Sequence, residues 1–260
     1  MLLPTQAAGS PHTNLMVLGD KTGRIYLVDR DNLGHFNASQ DQVLQEVRLG
    51  PTSGEIVFGM PAFFNNRLYF QGVGLPLQAI AISNGLLSTN AISQSQDREV
   101  GFRGATPSVS AHGTSNGIVW ELQATTVYGV SSLHAYNADD LSQKLYDSLA
   151  ALQAGAPDRI LFVKFVVPTI ANGKVYVGTS NSVAVFGLRT FIWSATRDSL
   201  AGTIRLVFSG PAGMPNLLQA SDDLLNWIDL GPGTPTGTGT FSYTEAIAPG
   251  KRAKFYRVVN

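Results

Sequence analysis

The phrase PTIANGKVYVGTSNSVAVFGL, residues 168–188, returns three times upstream in looser spelling. A self-repeat of this length constrains a fold more than any single residue, because each unit must bury its apolar surface against its neighbours. In this copy Pro168 opens a first strand, Asn172-Gly173 turn the chain, KVYVG makes a second strand and SVAVFGL a third. Asn-Gly between alternating apolar residues marks a tight hairpin, since both turn positions need positive φ. PAFFNNRLYFQGVGLPLQAIAI repeats the plan from Pro61 to Ile82, with Asn65-Asn66 at the turn. PSVSAHGTSNGIVWEL, from Pro107 to Leu122, continues with LHAYNA from Leu133. The first copy, LPTQAAGSPHTNLMVLGDKTGRIYLVD, is the most worn.

Spacing supports the alignment. Pro61 to Tyr69 and Pro168 to Tyr176 are both eight residues, and Pro4 to Val17 and Pro107 to Trp120 are both thirteen. Second strands superpose Val17, Tyr69, Trp120 and Tyr176; third strands superpose Leu27, Ala79, Ala135 and Val185. The separations between these markers are ten, ten, fifteen and nine, the fifteen reflecting an insertion around ATTVYGVS. VLQEVRL (Val43 to Leu49) and QKLYDS around Tyr146 are candidate fourth strands. Three or four strands every 45 to 60 residues predict an all-β, blade-like repeat, with an ordinary sandwich of regular hairpins as the competing architecture.

Composition narrows the function classes. Formal charge is zero and charged residues make up 14% of the 260, so the chain offers no basic stripe for nucleic acid and no polybasic patch for an anionic membrane. With no cysteine, disulfides, thiolate metal sites and a cysteine nucleophile are excluded together. No apolar run approaches the ~18 residues of a membrane span; ILFVKFVV is short and carries Lys164. The opening MLLPTQAAGSPH lacks the basic start and long apolar core of a signal peptide.

Four phrases, GDKTGRIYLVDRDNLG, GATPSVSAHGTSNGIVWEL, SLHAYNADDLSQKLYDS and PTIANGKVYVGTSNSVAVFGL, resemble the blades of pyrroloquinoline-quinone-like (PQQ-like) β-propellers, and most closely a group of secreted bacterial members. The resemblance covers residues 1–190 and implies a partial β-propeller of about four blades of antiparallel strands. Family rings are larger, and the first copy starts almost on its opening strand. The resemblance therefore implies missing upstream blades that would carry the signal peptide, and an extracellular or periplasmic location. An open arc would expose about five large apolar side chains at a blade face, at a cost of roughly 8–15 kcal/mol. That rivals the stability of a whole domain, so self-association through open blade edges is expected.

After Leu188 the pattern changes. RTFIWSATRDSLAG carries no blade pattern and reads as a boundary, followed by short strand candidates TIRLVFSG, NLLQAS, NWIDLG, GTFSYTEA and KFYRVV. They predict a small β-sandwich domain over residues 197–260, and LQASDDLLNWIDLG through FYRVV resembles a C-terminal module of secreted bacterial proteins. Trp227, Phe255 and Tyr256 are read as its core, with a carbohydrate platform as the other role for them.

Chemistry is sparse. A quinoprotein dehydrogenase would need a calcium site of Glu, Asn and Asp, a catalytic Asp and an aromatic floor for the quinone. The docking pattern usual in the repeat is degraded to Ala135-x-Asn137-x-x-Asp140-Leu141-x-x-x-x-Tyr146, and no catalytic residue is carried over. DRDNLG (Asp29 to Gly34) begins like a calcium loop, but Leu33 holds position five and Gln40 position twelve, which favours a polar turn. Trp120 could stack on a planar ligand, yet its column with Val17, Tyr69 and Tyr176 points to packing between blades. His12, His35, His112 and His134 are scattered, with His112 and His134 in one blade as the only pair to weigh as a metal site. No nucleophile elbow, phosphate loop or His-Glu-x-x-His helix occurs.

The leading expectation is a non-enzymatic secreted propeller that acts as a binding or scaffold surface for a protein or glycan partner, with no catalytic or metal residue and no cofactor. A fragment of a PQQ-dependent dehydrogenase, which would take PQQ with calcium, is the alternative. A carbohydrate-binding surface protein is the third reading.

Overall fold

The computed structural model describes residues 1–260 except 7–8, 51–56, 99–103, 126–128, 154–158, 188–190, 211–216, 238, 248–252 and 260. The turns PAGMP and APGK, and residues 126–128 of the ATTVYGVS insertion, lie outside the described residues. The chain forms two compact units, Met1–Phe186 and Gly187–Asn260. Both are built almost entirely of antiparallel sheets.

In the first unit four sheets follow one another along the chain. The first holds β1 (Leu15–Gly19), β2 (Arg24–Asp29) and β3 (Gln45–Arg48). The second holds β4 (Ala62–Phe64), β5 (Arg67–Phe70) and β6 (Pro76–Ser83), with β7 (Leu86–Leu87) and β8 (Ser93–Arg98) both paired to β6. The third runs β9 (Ser108–His112), β10 (Ser115–Ala124), β11 (Val130–Asn137) and β12 (Lys144–Asp147). The short helix α1 (Ser148–Gln153) follows, and β13 (Ile160–Leu161) pairs back onto β11. The fourth holds β14 (Thr169–Ala171), β15 (Lys174–Gly178) and β16 (Val183–Gly187).

The column alignment reappears as hydrogen-bonded register. Val17 pairs with Leu27, Tyr69 with Ala79 and Trp120 with Ala135. The fourth strands extend the same rows, with Leu27 opposite Gln45, Ala79 opposite Ser93 and Ala135 opposite Tyr146. Asn65, Asn66, Asn172 and Gly173 hold φ of 46°, 56°, 50° and 69°, the two left-handed turn positions that a two-residue hairpin requires. The long Trp120–Ala135 separation comes from longer hairpin arms, since β10 and β11 stay paired from Ile118–Asn137 to Ala124–Ser131.

Three apolar layers lie between consecutive sheets. Leu15, Val17, Ile25 and Leu27 meet Leu68, Phe70, Ile80 and Ile82; Tyr69, Leu77 and Ala79 meet Val119 and Tyr136; Leu122 and Leu133 meet Val175 and Val177. The second and third sheets are thus covered on both faces, which is why RLYF and GIVWEL read as continuous apolar runs rather than clean alternation. Each fourth-strand residue of the row reaches the next sheet. The Gln45 amide exchanges hydrogen bonds of 2.8 and 2.7 Å with the Leu87 backbone. The Ser93 hydroxyl accepts the Leu141 N–H at 2.8 Å, and the Tyr146 ring lies 6.2 Å from that of Phe186.

The second unit holds β17 (Phe191–Asp198), β18 (Thr203–Ser209), β19 (Leu217–Ser221), β20 (Ile228–Pro232), β21 (Thr234–Gly237), β22 (Thr240–Ala246) and β23 (Phe255–Val259). They form sheets ordered β17-β18-β22-β21 and β20-β19-β23, which share a core of Leu206, Phe208 and Leu218. The expected boundary RTFIWSATRDSLAG is a strand over much of its length. A register shift between Ile192 and Ser194 breaks its two-residue period, which hides it in the sequence. The Pro-containing β21 occupies a sheet edge, where its missing N–H costs nothing.

Candidate functional site

Comparing equivalent rows exposes one departure. One face of each sheet, the face that in the second to fourth sheets meets the preceding sheet, carries a cross-strand pair in the same place: Leu18 opposite Tyr26 in the first and Phe70 opposite Gln78 in the second. The aligned residues in the fourth sheet are Val177 and Ala184. In the third sheet that pair is Glu121 opposite His134. A carboxylate and an imidazole therefore stand where the other copies put neutral side chains, and both are buried. Burying charge costs several kcal/mol per ion unless partners compensate, so this layer between the second and third sheets is the candidate site.

Its partners come from four strands and one helix start. Glu121 Oε1 lies 3.8 Å from His134 Nδ1 and accepts a hydrogen bond from the Gln123 amide at 2.5 Å, while Oε2 has no partner. The Tyr136 hydroxyl donates to Asp97 Oδ2 on β8 at 2.9 Å and lies 3.1 Å from His134 Nδ1. A hydroxyl that gives its one proton to Asp97 can only accept from His134, so this geometry places a hydrogen on Nδ1. His134 Nε2 lies 3.5 Å from Asp147 Oδ2. Lys144 bridges the acids, 3.1 Å from Asp97 and 2.8 Å from Asp147. The Asp147 carboxylate also accepts the Ser132 hydroxyl and the N–H groups of Leu149 and Ala150, capping α1.

Burial acts to raise the Asp147 pKa, but hydrogen bonds from Lys144, Ser132 and the helix backbone outweigh it and hold the acid below the usual carboxylate range. Asp97 is likewise held down, burial being outweighed by Lys144 and Tyr136. The Tyr136 phenol is pushed far up, by burial first and then by the Glu121 and Asp97 charges. The arrangement contains acid–base groups, yet the fully buried Glu121 and Tyr136 leave little room for a substrate to meet them. What it does is join sheets: Asp97 belongs to the second, and Tyr136 and Lys144 belong to the third. Beside it Arg67 pairs with Asp139 at 2.5 Å, and the Tyr69 hydroxyl donates to the Ala138 carbonyl at 2.9 Å. The degraded docking stretch Asn137–Gln143 thus still docks on the preceding sheet, through the Ala138 and Leu141 backbone and the Asp139 carboxylate.

The histidines do not converge. His112 pairs with Ser115, six residues along β10 from the Glu121–His134 pair, so the two imidazoles are roughly 20 Å apart along the strand and cannot share a metal. His12 lies 2.8 Å from Asp29, and His35 is exposed at a φ of 57°. In DRDNLG the Asp29 carboxylate accepts the Asp31 N–H, and Asp31 accepts the Asn14 amide, as a polar turn would. Among the described residues no group of three or more His, Asp or Glu side chains is placed to hold a metal ion. Trp120 packs in the layer between the third and fourth sheets and donates to Ser110 Oγ at 2.8 Å. Trp120 is thus half-buried against one layer, and Glu121 is buried in the layer between the second and third sheets.

In the second unit Tyr256 packs on the core and its hydroxyl donates to Glu245, whereas Trp227 and Phe255 lie outside that core. The Trp227 face is covered by the Arg257 guanidinium at 4.1 Å, and its indole N–H donates to the Leu224 carbonyl. The core role read for all three aromatics holds for Tyr256 alone, because Trp227 sits at the start of an edge strand.

No family model matches the chain, and no curated protein matches it. Among solved structures it is similar to Kuenenia stuttgartiensis hydrazine synthase, at 9% identity and a TM-score of 0.37, over 78% of this chain and 55% of that one. The chain thus spans about half the length of that protein.

Proposed function

We propose that residues 1–186 are four blades of a PQQ-like propeller repeat, that residues 187–260 are a small β-sandwich module, and that the protein is exported and works as a non-enzymatic binding or scaffold surface. One observation carries this reading. A group of six ionisable side chains, Glu121, His134, Asp147, Lys144, Asp97 and Tyr136, is spent on joining two sheets rather than on lining an open cleft. The repeated register supports the blade assignment. A dehydrogenase would have to assemble its cofactor site from other residues, and a glycan platform at Trp227 would first have to displace Arg257. The test is a titration of the full chain with PQQ and calcium, followed by absorbance, thermal shift and dye-linked alcohol oxidation. No saturable shift and no turnover are expected; a saturable shift with turnover would establish the dehydrogenase instead.

A further inference from the structure

All three junctions in the first unit have the same polarity. Each sheet has a leading face, carrying the Val17–Leu27, Tyr69–Ala79 or Trp120–Ala135 row, and a trailing face with the residues between. Leading faces meet only trailing faces of the following sheet. Four sheets have four faces of each kind, and three junctions use three of each. One trailing face, on the first sheet, and one leading face, on the fourth, therefore remain with no sheet of the repeat against them among the described residues.

Both leftover faces are apolar at positions the repeat otherwise buries. Val183 and Val185 on the fourth sheet are 62% and 53% exposed. Their aligned residues Ile25, Leu77 and Leu133, and Leu27, Ala79 and Ala135, are at most 1% exposed. On the first sheet Leu18 is 36% exposed, while its counterparts Phe70, Glu121 and Val177 are at most 1% exposed. Leu2 bridges Met16 and extends that face at 60% exposure. An isolated exposed apolar residue needs no explanation, but neighbouring positions that are buried in every other copy do.

We propose that a second copy of this chain occupies these faces head to tail, the Val183/Val185 face of one copy docking on the Met16/Leu18 face of the other. The chain itself holds both halves of a contact it already makes three times, which is what selects a second copy as the occupant. Such a contact is heterologous: two copies close on each other, or a longer series forms if the geometry does not close.

Light scattering and sedimentation of the full chain over a concentration series test this, with Val185→Lys and Leu18→Lys as variants at exposed positions and circular dichroism confirming that each folds. The wild type should associate reversibly, and each variant alone should dissociate at least about tenfold more readily, as expected for a buried anchor. An equimolar mixture of the two variants keeps one intact leading face and one intact trailing face. It should recover association, and it should stop at one copy of each. A wild type that stays monomeric throughout would overturn the proposal. So would Leu18→Lys associating unchanged while Val185→Lys does not, with no recovery on mixing, since that pattern means like faces pair. Polydisperse aggregation insensitive to either substitution would overturn it as well.

Discussion

Replacing the buried pair at the second–third sheet layer with residues that other copies use at the same place, Glu121→Leu with His134→Gln, should not weaken the protein. Leu stands at the equivalent position in the first sheet and Gln in the second, and both substitutions nearly conserve volume. Even for a fully charged pair, the attraction across 3.8 Å is about 4 kcal/mol at an effective dielectric near 20. Against it stand several kcal/mol of desolvation for each ion. The buried Glu121 Oε2 without a partner adds about 1–3 kcal/mol more to that cost. Loss of the acceptor for Gln123 returns about 1 kcal/mol of it. The double variant should therefore be equal to the wild type or more stable by roughly 1–3 kcal/mol, within the range seen when buried ion pairs are replaced by well-packed residues.

Urea unfolding followed by far-ultraviolet circular dichroism reads this as a higher midpoint at unchanged slope for the transition of the first unit. The chain has two compact units, so the comparison is made on that transition rather than on a single global fit. A loss of more than about 2 kcal/mol would refute the reasoning. It would mean that the pair, with Tyr136 and Asp147, contributes more than its desolvation costs.

Lys144→Met removes the cation between Asp97 and Asp147 and leaves two acids facing one imidazole, which should cost about 1–3 kcal/mol given its partial exposure, measured by the same unfolding midpoint. Because Asp147 and Asp97 are held below their ordinary range when folded, their stabilisation is present above the unfolded value of about 4 and is lost as pH falls through the folded values; Asp147→Asn should flatten that acid limb in midpoints measured between neutral and strongly acid pH. At Gly117 a Cβ would meet the Phe64 ring at 2.4 Å and the Ala138 Cβ at 2.8 Å, so Gly117→Ala should destabilise the first unit by about 1–3 kcal/mol through overpacking.

How far the sequence was legible depended on what each segment repeats. Three hairpin rows were readable residue by residue because apolar markers recur in them at matched intervals. Five strands of the second unit were readable from alternation, as in Phe241 and Tyr243, which pack on its core. The strands that escaped share a physical reason. β8, SQSQDR, is an edge strand whose polar residues carry no apolar period, and β17 has its period broken by a bulge. β21 hides inside a Pro-Gly-rich stretch that looks like a turn.

The candidate site was hidden for a different reason. Glu121 lies in GIVWELQA, an apolar run whose two faces are both buried, so period-two reasoning assigns it no unusual role. His134 matches His112 in residue type, but the two lie far apart along the sheet. The informative partner was Glu121, because a residue one sheet column away pairs across the strand while a residue on the next turn does not. Aligning the copies against one another already supplied the signal: Leu18, Phe70, Glu121 and Val177 form one column, and a single carboxylate breaks it. Within a repeat protein the copies act as a small internal set of relatives that share one packing problem. A position where three copies solve it with a neutral side chain and one with a buried charge marks where that sheet answers to a different constraint. Here the constraint is the acid on β8 and the helix start after β12, which occur in the layer between the second and third sheets and nowhere else among the described sheets. The charge followed from the neighbours, and for that reason the transplant of Leu and Gln into this column is the perturbation that separates a structural clamp from a site held at a cost to stability.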